Sequence, residues 1–115
     1  MSEIKKLTEE IIKFRDARDW KQFHNPKDLA ISLSLEVAEV LEHFQWKTKK
    51  EVEEYLKQNK EHVAEELSDV LNYLLILSND IGIDIIDASY KKLEQNNKKY
   101  SVEKAKGKHT KYNKL

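Results

Sequence analysis

The sequence predicts an all-α protein, and three observations carry that prediction. Of 115 residues only two are glycine and one is proline, so tight turns are scarce. Charged residues make up 37% of the chain, and apolar residues recur at three- and four-residue spacing through several long segments. The strict apolar–polar alternation of strands is almost absent. A chain of this length builds one core and not two. The expected organisation is a helical domain over residues 1–100 and a basic C-terminal tail over residues 101–115.

The first helix is expected over about residues 4–15, where Ile4, Leu7, Ile11 and Phe14 form one stripe. Periodicity is then lost through RDARDWKQFHNPKD, and Trp20, Phe23 and His24 cluster ahead of Asn25-Pro26. Asparagine as N-cap followed by proline at the first helical position starts the second helix near Pro26. It should run to about Gln45 and bury Leu29, Leu33, Val37, Val40, Leu41 and Phe44. After Trp46, Thr48-x-x-Glu51 has the capping-box pattern, and Val52, Tyr55 and Leu56 continue it as a short connecting helix. A third helix is expected from after Asn59 to about Asp80, with Val63, Leu67, Val70, Leu71, Leu74 and Leu77 as its apolar face and Gly82 as its stop. Asp84 then starts a fourth helix that ends near Tyr100. The tail carries Lys104, Lys106, Lys108, Lys111 and Lys114 against Glu103 alone, and is expected to be mobile unless an anion orders it.

Composition excludes several functions. Twenty-one basic residues balance twenty-one acidic ones, so the chain as a whole has no electrostatic bias toward nucleic acid or an anionic membrane, and neither is an expected partner. No apolar run is long enough to span a bilayer, and the N-terminus lacks a signal peptide's apolar core. The absence of cysteine rules out disulfides, thiolate nucleophiles and Cys-based zinc sites, and fits a reducing cytoplasm. The expectation is a soluble cytoplasmic protein.

Two acidic pairs carry the chemistry: Glu36-x-x-Glu39 and Glu66-x-x-Asp69. On a helix that spacing sets both carboxylates of a pair on one face, where they repel. Such pairs are common on solvated helices. Here, however, Glu36 lies between Leu33 and Val40, and Glu66 between Val63 and Val70, on the apolar side, where an unpaired carboxylate is expensive. Neither residues 28–46 nor residues 61–90 contain a single Lys or Arg. A divalent cation is expected in their place. An all-oxygen ligand set suits Mg²⁺, Mn²⁺ or Ca²⁺, and Mg²⁺ in particular shares its positions with substrate phosphates. A di-iron bundle would need Glu-x-x-His, yet none of His24, His43, His62 or His109 has a Glu three residues before it. No two histidines are four apart, which removes a His-x-x-x-His zinc site.

Two further sets can be read along the chain. Lys92, Asn96 and Tyr100 follow one another at four-residue intervals, and offer a cation, an amide and a phenol for phosphate and sugar oxygens. The same stretch is also what an ordinary solvated helix end looks like. Trp20, Phe23, His24 and Trp46 flank the second helix; exposed tryptophans there can stack on a base or simply cover the ends of the bundle.

Trp20-Lys21-Gln22-Phe23-His24-Asn25-Pro26, Glu36-Val37-Ala38-Glu39, His43-Phe44-Gln45-Trp46-Lys47, Glu65-Glu66-Leu67-Ser68-Asp69-Val70 and the stretch from Lys92 to Tyr100 together resemble the MazG-like nucleotide pyrophosphohydrolases. The likeness is greatest to the small single-domain branch that includes dCTP pyrophosphatases, and covers about residues 14–115. It implies a four-helix MazG-like bundle that cleaves a (deoxy)nucleoside triphosphate to monophosphate and pyrophosphate, and so cleanses the nucleotide pool. It implies Mg²⁺, with Mn²⁺ as a substitute, on Glu36, Glu39, Glu66 and Asp69. Lys92, Asn96 and Tyr100 match phosphate-side positions, while Trp20, His24, Trp46 and Tyr73 match those around base and sugar. Glu39 or the adjacent Glu65 would position the water. Assembly as a homodimer or dimer of dimers, with sites completed by neighbouring subunits, is implied as well. Asp28 stands where relatives often have Asn, and Leu35 where dCTP-cleaving relatives have Gly, so the base preference does not carry over. Two other readings compete: a non-enzymatic helical module whose acidic face meets a basic partner, and a related all-α hydrolase acting on dUTP or phosphoribosyl-ATP.

Overall fold

The computed structural model describes residues 2–109 and is helical throughout, with no strand among those residues. Helix α1 spans Glu3–Ala17, α2 Pro26–Glu42, α3 Lys49–Asp80, α4 Ile85–Lys99 and the short α5 Val102–Ala105, with a single 3₁₀ turn at Trp20–Phe23. The chain divides into two compact units, Met1–Gly82 and Ile83–Leu115.

In the first unit α2 and α3 pair along their length as an antiparallel hairpin, and α1 lies on α3. Local chemistry sets each boundary. The Ser2 hydroxyl accepts from the Lys5 amide to open α1. Asp19 takes the left-handed conformation (φ 54°), which reverses the chain into the 3₁₀ turn and explains the lost periodicity there. Asn25 caps α2 by accepting from the Asp28 amide, with Pro26 at the first helical position, as the sequence predicts. Thr48 and Glu51 form the reciprocal capping box that opens α3, and Gly82 (φ 74°) lies just beyond its end.

One expected element is absent as such. The connecting helix and the third helix are a single helix, α3, of 32 residues. Between the capping box at Thr48 and Gly82 there is no glycine or proline to break it. The Asn59 side chain, read as a boundary, instead donates back to the Tyr55 carbonyl one turn earlier. Helix α2 also stops three residues short of Gln45, and a turn carries residues 43–46.

The core of this unit centres on Leu29, Val63, Leu75 and Ile76. Of the residues expected to be buried, Leu33, Val40, Phe44, Val70, Leu74 and Leu77 are partly covered, whereas Val37, Leu41, Leu67 and Leu71 are exposed. The apolar stripes of α2 and α3 are therefore wider than the contact between the two helices. A buried ion pair ties α1 to the far end of α3. The Arg15 guanidinium, 2% exposed, donates to Asp80 at 2.7 Å and to Asp16 at 3.1 Å. Burial works against its charge, but the hydrogen bonds to Asp80 and Asp16 outweigh that and hold it firmly protonated.

In the second unit Asp84 caps α4 by accepting from the Asp87 amide, and Tyr100 is its C-cap, matching the expected fourth helix. Lys104, Lys106 and Lys108 lie in or just after α5, whereas Lys111 and Lys114 of the expected tail lie outside the described residues. No helix among the described residues is long and apolar enough to cross a membrane.

A continuous α3 makes a specific prediction. Proline at position 59 would sit in a helix interior, so Asn59→Pro should destabilise the protein by about 3 kcal/mol or more in urea denaturation. A boundary between two helices at that position would tolerate the same substitution with little change.

Candidate active site

The α2–α3 hairpin turns the two acidic pairs toward each other. Glu36 is half-buried on α2, and its carboxyl is pushed above the usual carboxylate range. Burial is the largest cause; a side-chain hydrogen bond with Glu39 comes next, followed by the negative charges of Glu39, Asp69 and Glu66. All four carboxylates thus act on one centre. Two ionised carboxylates cannot share a hydrogen bond, so the contact with Glu39 and the crowding of negative charge both favour the protonated form of Glu36. Glu36 Oε2 is buried and accepts no hydrogen bond from a donor group among the described residues. Buried polar atoms are almost always satisfied, so an unsatisfied carboxyl oxygen beside three more carboxylates is a place for a cation.

Among the described residues no Lys or Arg forms an ion pair with any of the four carboxylates. Arg15 is committed to Asp80 and Asp16, and Lys47 donates to the His43 carbonyl at 2.7 Å. Asp80, which the sequence placed in the same cation-free stretch, is thereby removed from the acidic cluster. Among the described residues Glu66 alone has a partner from outside the cluster, His43, whose Nε2 lies 2.5 Å from its Oε2. The sequence did not point to that contact, because the two residues are 23 positions apart and His43 lacks any metal-ligand spacing. The donors here are all-oxygen, which fits Mg²⁺ or Mn²⁺. Among the described residues no three or more of them are gathered at ligating distance, with Glu36 bonded to Glu39 and Glu66 to His43, so loading a cation requires these side chains to turn.

Beside this cluster lies a cavity of about 200 Å³, lined by Trp20, His24, Asp69, Asn72 and Tyr73, with Arg15 at its wall. The Trp20 ring is set edge-on to Phe14 at 5.6 Å, and the Arg18 guanidinium covers the other ring at 3.7 Å. His24 is held neutral: burial lowers its pKa, the Arg15 charge lowers it further, and Asp80 opposes both. Its Nδ1 is buried and has no hydrogen-bond partner among the described residues. Of the aromatic and histidine positions expected around a base, the structure gathers Trp20, His24 and Tyr73. Trp46 does not line this cavity and stands 86% exposed at the α2–α3 turn. Arg15 and Asn72 join the cavity although nothing in their spacing marked them.

The remaining expected residues are placed as follows. Glu65 is an exposed side chain with His62 at 4.0 Å, and its charge is not one of those that bear on Glu36. Lys92 and Asn96 lie on α4, and Tyr100 at its C-cap, in the second unit. Asp28 accepts from Asn25 Nδ2 at 2.8 Å, so its carboxylate completes the α2 cap and does not line the cavity. Leu35 is 60% exposed.

Known proteins resemble this chain along most of its length. A family model described as the MazG-like family matches residues 31–115. Rat dCTP pyrophosphatase 1 is 39% identical over 117 aligned residues, spanning all of this chain and 67% of the rat protein. The human protein of the same name is 36% identical with the same coverage. The crystal structure of a pyrophosphatase from Archaeoglobus fulgidus superposes with a TM-score of 0.83 at 43% identity, covering 88% of this chain and 94% of that one.

The raised Glu36 carboxyl gives the metal-free protein a pH dependence with a definite sign. A carboxyl whose folded pKa lies above its unfolded one binds more protons when folded. Its favourable contribution is present at low pH and is lost as pH rises from about 4.5, the ordinary value, through the raised folded value. In urea denaturation with EDTA, Glu36→Gln should therefore become more stable relative to the parent as pH rises from 5 to 8. A stability difference that is flat with pH would contradict the burial and repulsion assigned to Glu36.

Proposed function

This chain belongs to the MazG-like family, and from that premise we propose that it hydrolyses (deoxy)nucleoside triphosphates to monophosphate and pyrophosphate with Mg²⁺. A pyrophosphohydrolase acting on a nucleotide is supported by the relatives, which carry the names dCTP pyrophosphatase 1 and pyrophosphatase. The observation that carries the cation is the buried, unpartnered Glu36 Oε2 among three other carboxylates. Glu36, Glu39, Glu66 and Asp69 are the residues that would hold Mg²⁺, or Mn²⁺ in its place. When bound, the ion supplies positive charge to phosphate oxygens and makes water more acidic.

The chain's own groups divide the remaining work. Glu39 is exposed and hydrogen-bonded to Glu36, so it is better placed than Glu65 to orient an attacking water and accept its proton. Trp20, Tyr73 and neutral His24 frame the cavity next to Asp69, which suits a base and sugar close to the acidic cluster. The His24 Nδ1 offers one hydrogen bond there and no charge. Lys92, Asn96 and Tyr100 are the proposed phosphate contacts, with Lys92 neutralising the departing pyrophosphate. The name shared by the mammalian relatives makes dCTP the first substrate to try.

Assembly belongs to the same proposal. Leu35, Leu41, Leu67 and Leu71 are exposed on α2 and α3, more apolar surface than two paired helices need leave open. A homodimer or dimer of dimers would cover it, and a site completed by a second subunit would give Trp46 a use. A cytoplasmic location fits both a nucleotide substrate and a chain without cysteine.

A panel of nucleoside triphosphates, scored for monophosphate and pyrophosphate with and without Mg²⁺, tests this directly. Glu39→Gln and Asp69→Asn should fold normally by circular dichroism and lose at least about 100-fold in turnover, beyond the 10–100-fold range of residues that only support a metal ligand. Full activity in both purified variants would remove the acidic cluster from the reaction.

A further inference from the structure

Among the described residues, Glu66 is the only one of the four clustered carboxylates held by a neighbour from outside the cluster, and that neighbour is itself held. His43 opens the turn after α2, while Tyr55 and Glu66 lie on α3. One ring nitrogen, Nε2, meets Glu66 Oε2 at 2.5 Å; the other, Nδ1, meets the Tyr55 hydroxyl. Hydrogen-bond chemistry fixes the direction. An ionised carboxylate only accepts, so Nε2 carries the hydrogen. The two contacts link Tyr55 to His43 and His43 to Glu66, and together they set one ring orientation.

The surroundings keep it in place. The His43 side chain is 11% exposed and that of Glu66 29%. The Lys47 ammonium sits 4.3 Å from the Tyr55 ring centre while donating to the His43 carbonyl, which pins both ends of the pair. Phe44 stands edge-on to Tyr55 at 6.5 Å. With Oε2 engaged by His43, Glu66 keeps its other oxygen for a ligand, and the donated N–H draws charge away from the repulsion at Glu36.

We propose that His43, oriented by Tyr55, is a positioning residue that presents Glu66 to a divalent cation. This rests on the reading of the acidic cluster as a cation site. The arrangement is the mirror of a metal-bound histidine steadied by a carboxylate: here the carboxylate is the ligand and the histidine steadies it.

Mn²⁺ titrated into the purified full chain, with free Mn²⁺ followed by electron paramagnetic resonance, reads the effect without turnover. His43→Leu should weaken Mn²⁺ binding by about 10–100-fold. His43→Gln retains an N–H donor on a side chain of similar reach and should recover part of that loss. Tyr55→Phe should weaken binding less than His43→Leu, and the double variant should bind no more weakly than His43→Leu alone, because Tyr55 acts through His43. If His43→Leu fails to fold, Tyr55→Phe, which removes one oxygen, carries the test. A parent that binds no Mn²⁺ removes the cation site and this proposal with it. A parent that binds, with His43→Leu or Tyr55→Phe unchanged in affinity, overturns the positioning role alone.

Discussion

Everything in the first unit is arranged around a repulsion. The α2–α3 hairpin brings Glu39, Glu66 and Asp69 to bear on the half-buried carboxyl of Glu36, whose pKa is raised because burial, the hydrogen bond with Glu39 and the neighbouring negative charges oppose its ionisation. A hairpin chosen for stability alone would place apolar residues there, since a buried charge without a partner is among the most destabilising features a fold can carry. Groups held against their preferred ionisation cluster where chemistry is done. The rest of the unit keeps this arrangement together. A capping box starts α3, an unbroken run of 32 residues extends it, and the Arg15–Asp80 pair ties α1 across its far end.

The distribution of positive charge makes the same point. In a chain with 21 basic residues, Arg15 is committed to Asp80 and Asp16, and Lys47 to a backbone carbonyl and the Tyr55 face. What reaches the cluster is a ring N–H of His43. That bond orients one carboxylate and leaves Glu36, Glu39 and Asp69 without a basic partner among the described residues, so the cluster can still attract a cation from solution. The adjoining cavity follows a similar logic, with a neutral histidine and aromatic faces beside an acidic edge.

Much of this was legible in the sequence, for identifiable reasons. The caps at Asn25 and Thr48, the stop at Gly82 and the start at Asp84 are local chemistry, and local chemistry is written in neighbouring residues. The acidic pairs were visible because the sequence withheld Lys and Arg from both segments. The division of α3 at Asn59 was misread because asparagine often stops a helix, while here its amide bonds back within the helix. Val37, Leu41, Leu67 and Leu71 were read as core because periodicity reports an apolar face without saying which of its residues a single subunit covers. The contacts of His43 with Glu66 and of Arg15 with Asp80 join residues 23 and 65 positions apart, and no spacing rule reaches that far.

The central claim is that four carboxylates on α2 and α3 form one cation site at which a nucleoside triphosphate is cleaved. Crystals grown with Mn²⁺ and a triphosphate analogue that resists cleavage between its first two phosphates test it most directly, because anomalous scattering locates the ion without reference to activity. The account predicts an anomalous peak at roughly the 2.1 Å that a small hard cation takes from oxygens of Glu36, Glu39, Glu66 or Asp69, shared with phosphate oxygens of the analogue. An analogue bound with no ion at these four residues, or an ion held elsewhere on the chain, would contradict it.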